Sequence, residues 1–397
     1  MSYSQYNRSG GFNRGQHFSR PRQVQRGPKK EYINPARFIQ SAKQVDEAEY
    51  TPHHNFSDFN IHPLIQTNLI DKGFLKPSPI QDQTIPVGLL GQDIVGVANT
   101  GTGKTAAFAV PILNRLMDDR DSFAIILAPT RELAQQIDEQ CRSIAKGSGL
   151  SGAVLIGGVA MGPQLRDLRN NPRIVIGTPG RIMDHARRGT LRLSQFNLVV
   201  LDEVDRMLDM GFIHDIRLIL SQTASKKQSF FFSATIDSRV KTIIDSFSVN
   251  PVQIEVKTGD TSDNVEQNVI TYASKNEKID KLHELLIQEK VVKALVFDDT
   301  HRSVEKLSDE LQSRGFEVDA IHGGKSQSQR QKALKRFRDS QVKILVATDV
   351  AARGIDVVDI SHVVNYSQPQ SYGDYVHRIG RTGRAGRLGY AMTFVEK

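Results

Sequence analysis

Short apolar runs alternate with helix-compatible stretches along most of the chain, from Phe56 onward. In the first half, runs of strand length lie at 94–97, 123–128, 153–156, 174–176, 198–201, 230–232 and 252–256. Stretches compatible with helices separate them, among them 131–145, 179–188 and 212–220. Short apolar runs of this kind indicate buried strands, and their alternation with helices is typical of a parallel sheet covered on both faces.

A polar, turn-forming stretch beginning at Thr258 interrupts this pattern and predicts a linker over 258–266. Apolar runs then resume at 268–272, 294–297, 317–321, 343–347, 362–366 and 390–395. The chain has 397 residues, enough for two domains at about 150 residues each. We therefore expect an α/β protein with one domain at 51–257 and a second at 267–397.

The turn after the first predicted strand is the best candidate for chemistry. It reads Ala98-Asn99-Thr100-Gly101-Thr102-Gly103-Lys104-Thr105 and leads into a helix-compatible segment. A glycine-rich turn at a helix start directs backbone N–H groups and the positive end of the helix dipole at one point, which suits phosphate. Lys104 would reach the β- and γ-phosphates, and the Thr105 hydroxyl would lie on Mg²⁺. Because Ala98 stands where the strict pattern has Gly, an ordinary strand-to-helix turn is the alternative.

A downstream acidic motif decides between these readings. Asp202-Glu203-Val204-Asp205 follows the apolar run 198–201. Open α/β sheets bind ligands outside the carboxyl ends of their strands. One carboxylate there can hold Mg²⁺ while the other orients and deprotonates water. The two motifs together predict a nucleoside triphosphatase, and because the second domain has no phosphate loop, we expect it to complete a site begun by the first.

Composition limits where the protein acts. No apolar run reaches the ~18 residues that a membrane span needs, and the start of the chain has no apolar core of a signal peptide. The single cysteine, Cys141, excludes an intrachain disulfide and predicts a reducing, cytoplasmic setting. The net charge is +8, and residues 1–30 hold seven Lys or Arg and no Asp or Glu, which leaves +1 for the rest.

Residues 1–50 have no apolar period, so we expect a disordered basic tail. Two readings of this tail stay open. It is either a solubilising segment or a non-specific RNA tether, in which arginines contact phosphate and the aromatic residues Tyr3, Tyr6, Phe12 and Phe18 stack on bases.

From Phe56 to Val395 the motifs together resemble those of the DEAD-box RNA helicases of superfamily 2, in order and spacing. Gly73-Phe74-Leu75-Lys76-Pro77-Ser78-Pro79-Ile80-Gln81 resembles the family's Q motif. The resemblance implies two tandem RecA-like domains with ATP and Mg²⁺ as cofactors. It implies that Gln81 reads the adenine edge, that Phe56 stacks on the base, and that the phosphate loop supplies Thr100, Gly101, Thr102, Gly103, Lys104 and Thr105.

The same resemblance assigns the reaction chemistry. Asp202 would bind Mg²⁺ through water and Glu203 would act as general base. Asp205 would hydrogen-bond Ser233-Ala234-Thr235, which with His377 couples the domains. In His377-Arg378-Ile379-Gly380-Arg381-Thr382-Gly383-Arg384, the arginine fingers would be Arg381 and Arg384, and Asp356 would accept from the ribose. Val204 replaces the family's usual Ala, and we expect repacking with activity retained.

The motifs expected to face RNA are individually weak, since each alone is more often a helix cap. The first domain offers Pro129, Thr130, Arg131, Gly158, Thr178, Gly180 and Arg181; the second offers Thr300, Gln327, Arg330, Thr348 and Asp349. Hydroxyls, arginines and helix-start amides suit sugar–phosphate contacts and do not read bases. We therefore expect sequence-independent RNA binding, with 2′-hydroxyl contacts favouring RNA over DNA.

The sequence thus predicts an ATP-dependent RNA helicase, acting as a monomer, that separates short duplexes locally. Two alternatives stay open. One is an ATP-gated RNA clamp or scaffold with little unwinding, and the other is a DNA-directed superfamily 2 helicase.

Overall fold

The computed structural model describes residues 31–42, 50–99, 101–256, 263–352, 357, 359–383 and 387–397. The described residues form two lobes. The N-terminal lobe comprises residues 50–256 and the C-terminal lobe comprises residues from 263 onward, each built on one parallel sheet.

The sheet of the N-terminal lobe has seven strands among the described residues, in the order β3-β4-β2-β5-β6-β1-β7. The strands are β1 (Ile94–Val97), β2 (Ala124–Leu127), β3 (Gly152–Leu155), β4 (Ile174–Gly177), β5 (Leu198–Leu201), β6 (Gln228–Ser233) and β7 (Val252–Glu255). The helices are α1 (Pro63–Asp71), α2 (Pro79–Leu89), α3 (Lys104–Asp118), α4 (Arg131–Ile144), α5 (Met161–Arg169), α6 (Pro179–Arg187), α7 (Val204–Asp209), α8 (Ile213–Gln222) and α9 (Ser238–Phe247).

Alternate residues of these strands enter two separate cores. In β5, Leu198 and Val200 pack under the helices of one face, and Val199 and Leu201 pack under those of the other. Strands covered on both faces are apolar throughout, which is why the short apolar runs in the sequence located them. Val204 is fully buried in the second core, at the start of α7.

The C-terminal lobe repeats this architecture with six strands among the described residues, in the order β10-β11-β9-β12-β13-β8. They are β8 (Val265–Tyr272), β9 (Ala294–Phe297), β10 (Val318–Ile321), β11 (Ile344–Ala347), β12 (His362–Asn365) and β13 (Gly389–Glu396). The helices are α10 (Lys275–Leu286), α11 (His301–Ser313), α12 (Gln327–Arg338), α13 (Asp349–Ala352) and α14 (Tyr372–Ile379). The predicted fold class, two parallel-sheet α/β domains, is confirmed.

The expectation of disorder over 1–50 is wrong for residues 31–42. They contain a short 3₁₀ helix, Pro35–Phe38, whose Phe38 is fully buried against the C-terminal lobe. Two other 3₁₀ helices lie at Phe56–Asp58 and Leu193–Gln195. Residues 1–30 and 43–49 lie outside the described residues, as does the linker segment 257–262. Within the described residues, no helix combines the length and the apolar character of a membrane span.

Candidate functional site

The predicted phosphate loop lies between β1 and α3, where β1 ends at the carboxyl edge of the sheet. Gly103 has φ of +95°, and a Cβ there would lie 2.4 Å from Gln81 Nε2, so both the backbone conformation and the space require glycine. Helix α3 begins at Lys104, whose Nζ donates to the Ala98 carbonyl at 3.2 Å. The turn therefore presents a helix N-terminus and a buried ammonium at one place, as phosphate binding requires. Thr100 lies outside the described residues.

Asp202 follows β5 and faces the same loop. Its carboxyl is 2 % exposed, and Oδ1 lies 3.8 Å from Lys104 Nζ with no hydrogen-bond partner among the described residues. Burial raises the pKa of Asp202, although the positive charge of Lys104 acts to lower it. A buried carboxylate oxygen without a partner fits a Mg²⁺ ion that takes one or two protein carboxylates and completes its shell with phosphate and water.

Glu203 is held in an unusual backbone conformation, φ 56° and ψ 56°, as the residue before α7. Arg206 one helical turn later donates to Glu203 Oε2 at 2.5 Å, and both side chains are buried. Burial opposes ionisation, but the charges of Arg206, Lys104 and Arg381 outweigh it and lower the pKa of Glu203. Glu203 is therefore ionised at neutral pH and able to accept a hydrogen bond from water.

Gln81 lies on α2 and contacts the phosphate loop directly. Its Nε2 donates to the Gly103 carbonyl at 3.1 Å, and its Oε1 accepts from the Ser78 backbone N–H at 3.0 Å. Ser78 Oγ donates to the Thr102 carbonyl at 2.7 Å. The predicted adenine reader is thus also joined to the loop that would hold the phosphates.

Phe56 does not present a free ring face in this structure. It is 2 % exposed and packs edge-on against Phe59 and Phe74, with ring centroids 5.8 and 6.0 Å away. Stacking on adenine by Phe56 stays a prediction, and it requires this packing to change. Phe74 beside it is partly exposed.

Asp205 joins α7 to the end of β6 and the turn that follows it. Its Oδ2 accepts from the backbone N–H groups of Ala234 and Thr235 at 3.2 and 3.1 Å, and from Thr235 Oγ1 at 3.1 Å. Its own N–H donates to Ser233 Oγ at 3.3 Å. The hydrogen bonds expected here are present, and the coupling role stays a prediction.

The C-terminal lobe brings α14 and Arg381 to this same place. A small space lies between Arg206 of the N-terminal lobe and His377, Arg378 and Arg381 of the C-terminal lobe. The charge of Arg381, which is 3 % exposed, acts on the Glu203 carboxyl and helps to lower its pKa. Burial lowers the pKa of His377, and the positive charge of Arg206 lowers it further. Arg384 and Asp356 lie outside the described residues, so their roles stay predictions.

The predicted RNA-facing residues of the N-terminal lobe lie in the loops and first helical turns that follow β2, β3 and β4. Thr130 caps α4 by accepting from the Leu133 N–H at 3.2 Å, and Pro129 before it is buried. The guanidinium of Arg131 lies over Gly158, where a Cβ would be 1.9 Å from Nη1. Thr178 precedes α6, where Gly180 lies in open space with only Asp215 near its Cβ position, and Arg181 Nη1 donates to the Val159 carbonyl at 3.2 Å.

The predicted RNA-facing residues of the C-terminal lobe differ in the contacts that they make. Thr300 caps α11 in a reciprocal pair with Ser303. Thr348 directly follows β11, and its buried Oγ1 has no partner among the described residues. Asp349 instead binds Arg378 through two hydrogen bonds of 2.6 Å. This salt bridge uses both carboxylate oxygens, and an RNA contact by Asp349 stays a prediction.

Gln327 and Arg330 of α12 contact the N-terminal lobe in this structure. Gln327 Nε2 donates to Glu132 Oε1 and Gln135 Oε1 at 3.2 and 3.1 Å, and Arg330 Nη2 donates to Glu132 Oε1 at 2.8 Å. Both side chains are buried, and their predicted contacts with RNA stay predictions. A guanidinium matches carboxylate and phosphate equally well, so its chemistry alone could not tell the two partners apart.

Comparisons with known proteins agree with this geometry. The family model described as DEAD/DEAH box helicase matches residues 78–243, and the helicase conserved C-terminal domain matches residues 277–386. The DEAD-box ATP-dependent RNA helicase CshA of Bacillus subtilis is 43% identical over 342 residues, 86% of this chain and 69% of the relative. The CshA protein of Bacillus licheniformis is also 43% identical, over 86% of this chain and 70% of its own. This chain belongs to the DEAD-box RNA helicases.

Solved structures place the helicase in the same family. Dbp5 of S. cerevisiae bound to RNA and ADP BeF3 matches with a TM-score of 0.75 and 31% identity, over 86% of this chain and 90% of that chain. A DEAD box protein from Methanococcus jannaschii is 40% identical with a TM-score of 0.52, over 87% of this chain and 94% of its own. The helicase is thus an ATP-dependent RNA helicase, an RNA-stimulated ATPase.

Three residues of this helicase were not identified from the sequence as part of the site. Arg206 lies three positions after Glu203, and helical spacing could have indicated it. Glu132 was visible in the string Pro-Thr-Arg-Glu-Leu, but its partner Arg330 is 198 positions away and no local pattern connects them. Asp82 follows Gln81 directly, is buried, and accepts from Tyr50 Oη at 2.5 Å and from the His53 N–H at 2.7 Å.

Proposed function

We propose that this helicase binds RNA without reading its sequence and separates short duplexes locally, coupled to hydrolysis of ATP to ADP and phosphate. One observation carries the proposal. Arg206, which donates to Glu203 in the N-terminal lobe, lines one small space with His377 and Arg381 of the C-terminal lobe, and this supports a site shared between the lobes. A site divided in this way is complete only when the lobes are closed on each other.

The N-terminal lobe supplies the parts that bind the nucleotide. Lys104 and the start of α3 would hold the phosphates, Gln81 would contact the base, and Thr105 and Asp202 would hold Mg²⁺. The ion would neutralise charge on the phosphates when bound. Glu203 would accept a hydrogen bond from the attacking water and take its proton. Arg381 would stabilise the charge on the transferring group.

RNA contacts would come from helix starts and hydroxyls on both lobes, led by Arg131, Thr178 and Thr300. These groups suit phosphates and sugars, which supports binding without sequence preference. Because RNA and ATP both favour the closed arrangement, each would raise the affinity for the other. Closure that bends one strand would release its partner from a short duplex without long-range translocation. Since both halves of the site come from one chain, we infer that the helicase acts as a monomer, and its buried single cysteine supports a reducing, cytoplasmic setting.

The test compares ATPase stimulation and unwinding in the same preparation. Single-stranded RNAs of different sequence should stimulate hydrolysis equally, single-stranded DNA should stimulate it far less, and a ten-base-pair duplex should separate faster than a thirty-base-pair one. Glu203→Gln should bind ATP and RNA but lose turnover, because it removes the base and leaves Asp202 in place.

Each opposite result rejects a named part of the proposal. RNA-stimulated hydrolysis without duplex separation would identify an ATP-gated clamp. Equal stimulation by DNA would identify a DNA-directed enzyme. Full-rate hydrolysis by Glu203→Gln would remove Glu203 from the role of base.

A further inference from the structure

One buried arginine beside the ATP site has no role in the proposed steps of hydrolysis. Arg206 lies on α7, is 4 % exposed, and its Nη1 donates to Glu203 Oε2 at 2.5 Å. Arginine is almost never buried to this extent unless it is paired, and its guanidinium stays charged at any pH that a protein tolerates. The candidate general base therefore has a permanent cation bound to one of its two oxygens.

The backbone brings the two residues of this pair together. Glu203 immediately precedes α7 with φ 56° and ψ 56°, a left-handed conformation that is uncommon for residues other than glycine. Arg206 follows three positions later, the spacing at which side chains on a helix meet. A residue keeps such a backbone conformation where surrounding contacts impose it, and residues of this kind cluster at active sites. The bond from Arg206 is one of the contacts that fix Glu203.

Two other cations act on the same carboxyl group. Burial opposes ionisation of Glu203, and the charges that lower its pKa are those of Arg206, Lys104 and Arg381, in that order. Lys104 lies at the start of α3, with its Nζ 3.8 Å from Asp202 Oδ1. In the proposed reaction Lys104 and Arg381 bind phosphate. A Glu203 carboxylate without Arg206 would pair with one of these two cations, because a buried charge without a partner is costly.

Arg206 lies between the base and the C-terminal lobe. It lines a small space with Phe297, His377 and Arg381, while its Nη1 donates to Glu203. Lys104 belongs to the phosphate loop instead. The bond from Arg206 can therefore hold Glu203 while Lys104 contacts the nucleotide.

We propose that Arg206 is a positioning residue for hydrolysis, whose bond to Glu203 Oε2 holds this carboxylate in the orientation that accepts from the attacking water and prevents it from pairing with Lys104 or Arg381. The inference rests on the role of Glu203 as general base proposed above. Arg206 contacts neither the nucleotide nor the water, so its effect falls on the rate of hydrolysis rather than on the affinity for ATP.

The test measures single-turnover hydrolysis by the full-length protein with ATP and RNA both saturating. Arg206→Met removes the charge and keeps the length of the side chain, and it should slow hydrolysis about 100-fold, the lower end of what a general base contributes. The Kd for ATP should stay within about threefold, because the ground-state contacts with the nucleotide remain. Arg239→Met is the matched control, since Arg239 pairs with Asp209 of the same helix at 2.9 Å but is 51% exposed, and it should hydrolyse ATP at the unaltered rate.

A conservative variant separates positioning from folding. Arg206→Lys keeps a cation that can donate one hydrogen bond to Oε2, and it should restore the rate to within about tenfold of the unaltered protein. Thermal unfolding of each variant shows whether it is folded. If Arg206→Met does not fold, Arg206→Gln takes its place in every comparison.

A double variant shows whether Arg206 acts through Glu203. Residues that act as one unit are not additive, so Arg206→Met added to Glu203→Gln should lower the residual rate less than about threefold. An equal loss in both backgrounds would overturn the proposal, as would Arg206→Met hydrolysing at the rate of Arg239→Met, or Arg206→Lys being no faster than Arg206→Met. Full-rate hydrolysis by Glu203→Gln alone would instead reject the base itself.

Discussion

Replacing Glu132 by Gln tests the contact that closes the two lobes. Glu132 of α4 is 3 % exposed and accepts from Arg330 and Gln327 of α12 across the cleft. Burial, opposed by the charge of Glu132, lowers the pKa of Arg330. Removing one partner of a buried ion pair costs about 3–5 kcal/mol, because the other charge stays buried without compensation. In the open arrangement both groups would be hydrated, so this cost falls on closure alone.

Since about 1.4 kcal/mol is tenfold in an equilibrium constant, closure should weaken at least about 100-fold. The assay is ATP hydrolysis titrated with single-stranded RNA. We expect the apparent KM for RNA to rise about 100-fold, while ATP binding without RNA and the thermal unfolding temperature stay unchanged. Glu139→Gln is the matched control on the same helix, because its pair with Arg338 spans 3.8 Å with both side chains about half exposed or more. Exposed pairs contribute at most about 1 kcal/mol.

A double variant, Glu132→Gln with Arg330→Gln, removes the uncompensated charge and should recover part of the lost RNA affinity. Equal effects of Glu132→Gln and Glu139→Gln would refute the reasoning. An unchanged KM for RNA in Glu132→Gln would also refute it, since the buried contact would then contribute nothing to closure.

Two further predictions concern RNA. Gly158→Ala places a Cβ 1.9 Å from Arg131 Nη1 at φ +70°, so it should displace Arg131 and raise the KM for RNA about tenfold. Gly162→Ala, with open space around it, should not raise this KM. Equal values for the two variants, of the Kd in filter binding and of the KM in ATPase titration, would contradict the role of Arg131. Removing residues 1–30, with their seven cationic side chains, should weaken RNA binding and reduce the slope of log affinity against log salt by at most about 5, with kcat unchanged. An unchanged slope would contradict the RNA tether and indicate that residues 1–30 are a solubilising segment.

Local patterns in the sequence located most of the fold. Buried strands such as β2 and β5 are apolar at every position. The phosphate loop has glycine at position 103 because the backbone there has a positive φ. Asp202 follows β5 directly, so locating this strand in the sequence also located Asp202 at the carboxyl edge of the sheet. These features depend on neighbours within a few residues, which a single sequence displays.

Contacts between distant residues could not be found in the same way. Residues 31–42 contribute only Ile33 and Phe38 to an apolar cluster, too few to produce a period, so the segment resembled a disordered tail. Arg330 has the chemistry of a phosphate ligand, and only the packing of α12 against α4 shows that Glu132 is its partner. The contact between Glu132 and Arg330 therefore depends on the fold, and the RNA contact predicted for Arg330 stays a prediction.

The central claim is that Arg381 completes, from the C-terminal lobe, the ATP site begun at Lys104 and Glu203. Single-turnover hydrolysis by Arg381→Ala, with ATP and RNA both saturating, tests it most directly. An arginine of this kind contributes about 10³–10⁵ in rate, so we expect a loss of at least about 1000-fold while ATP and RNA stay bound. A rate within a few-fold of the unaltered helicase would contradict the account.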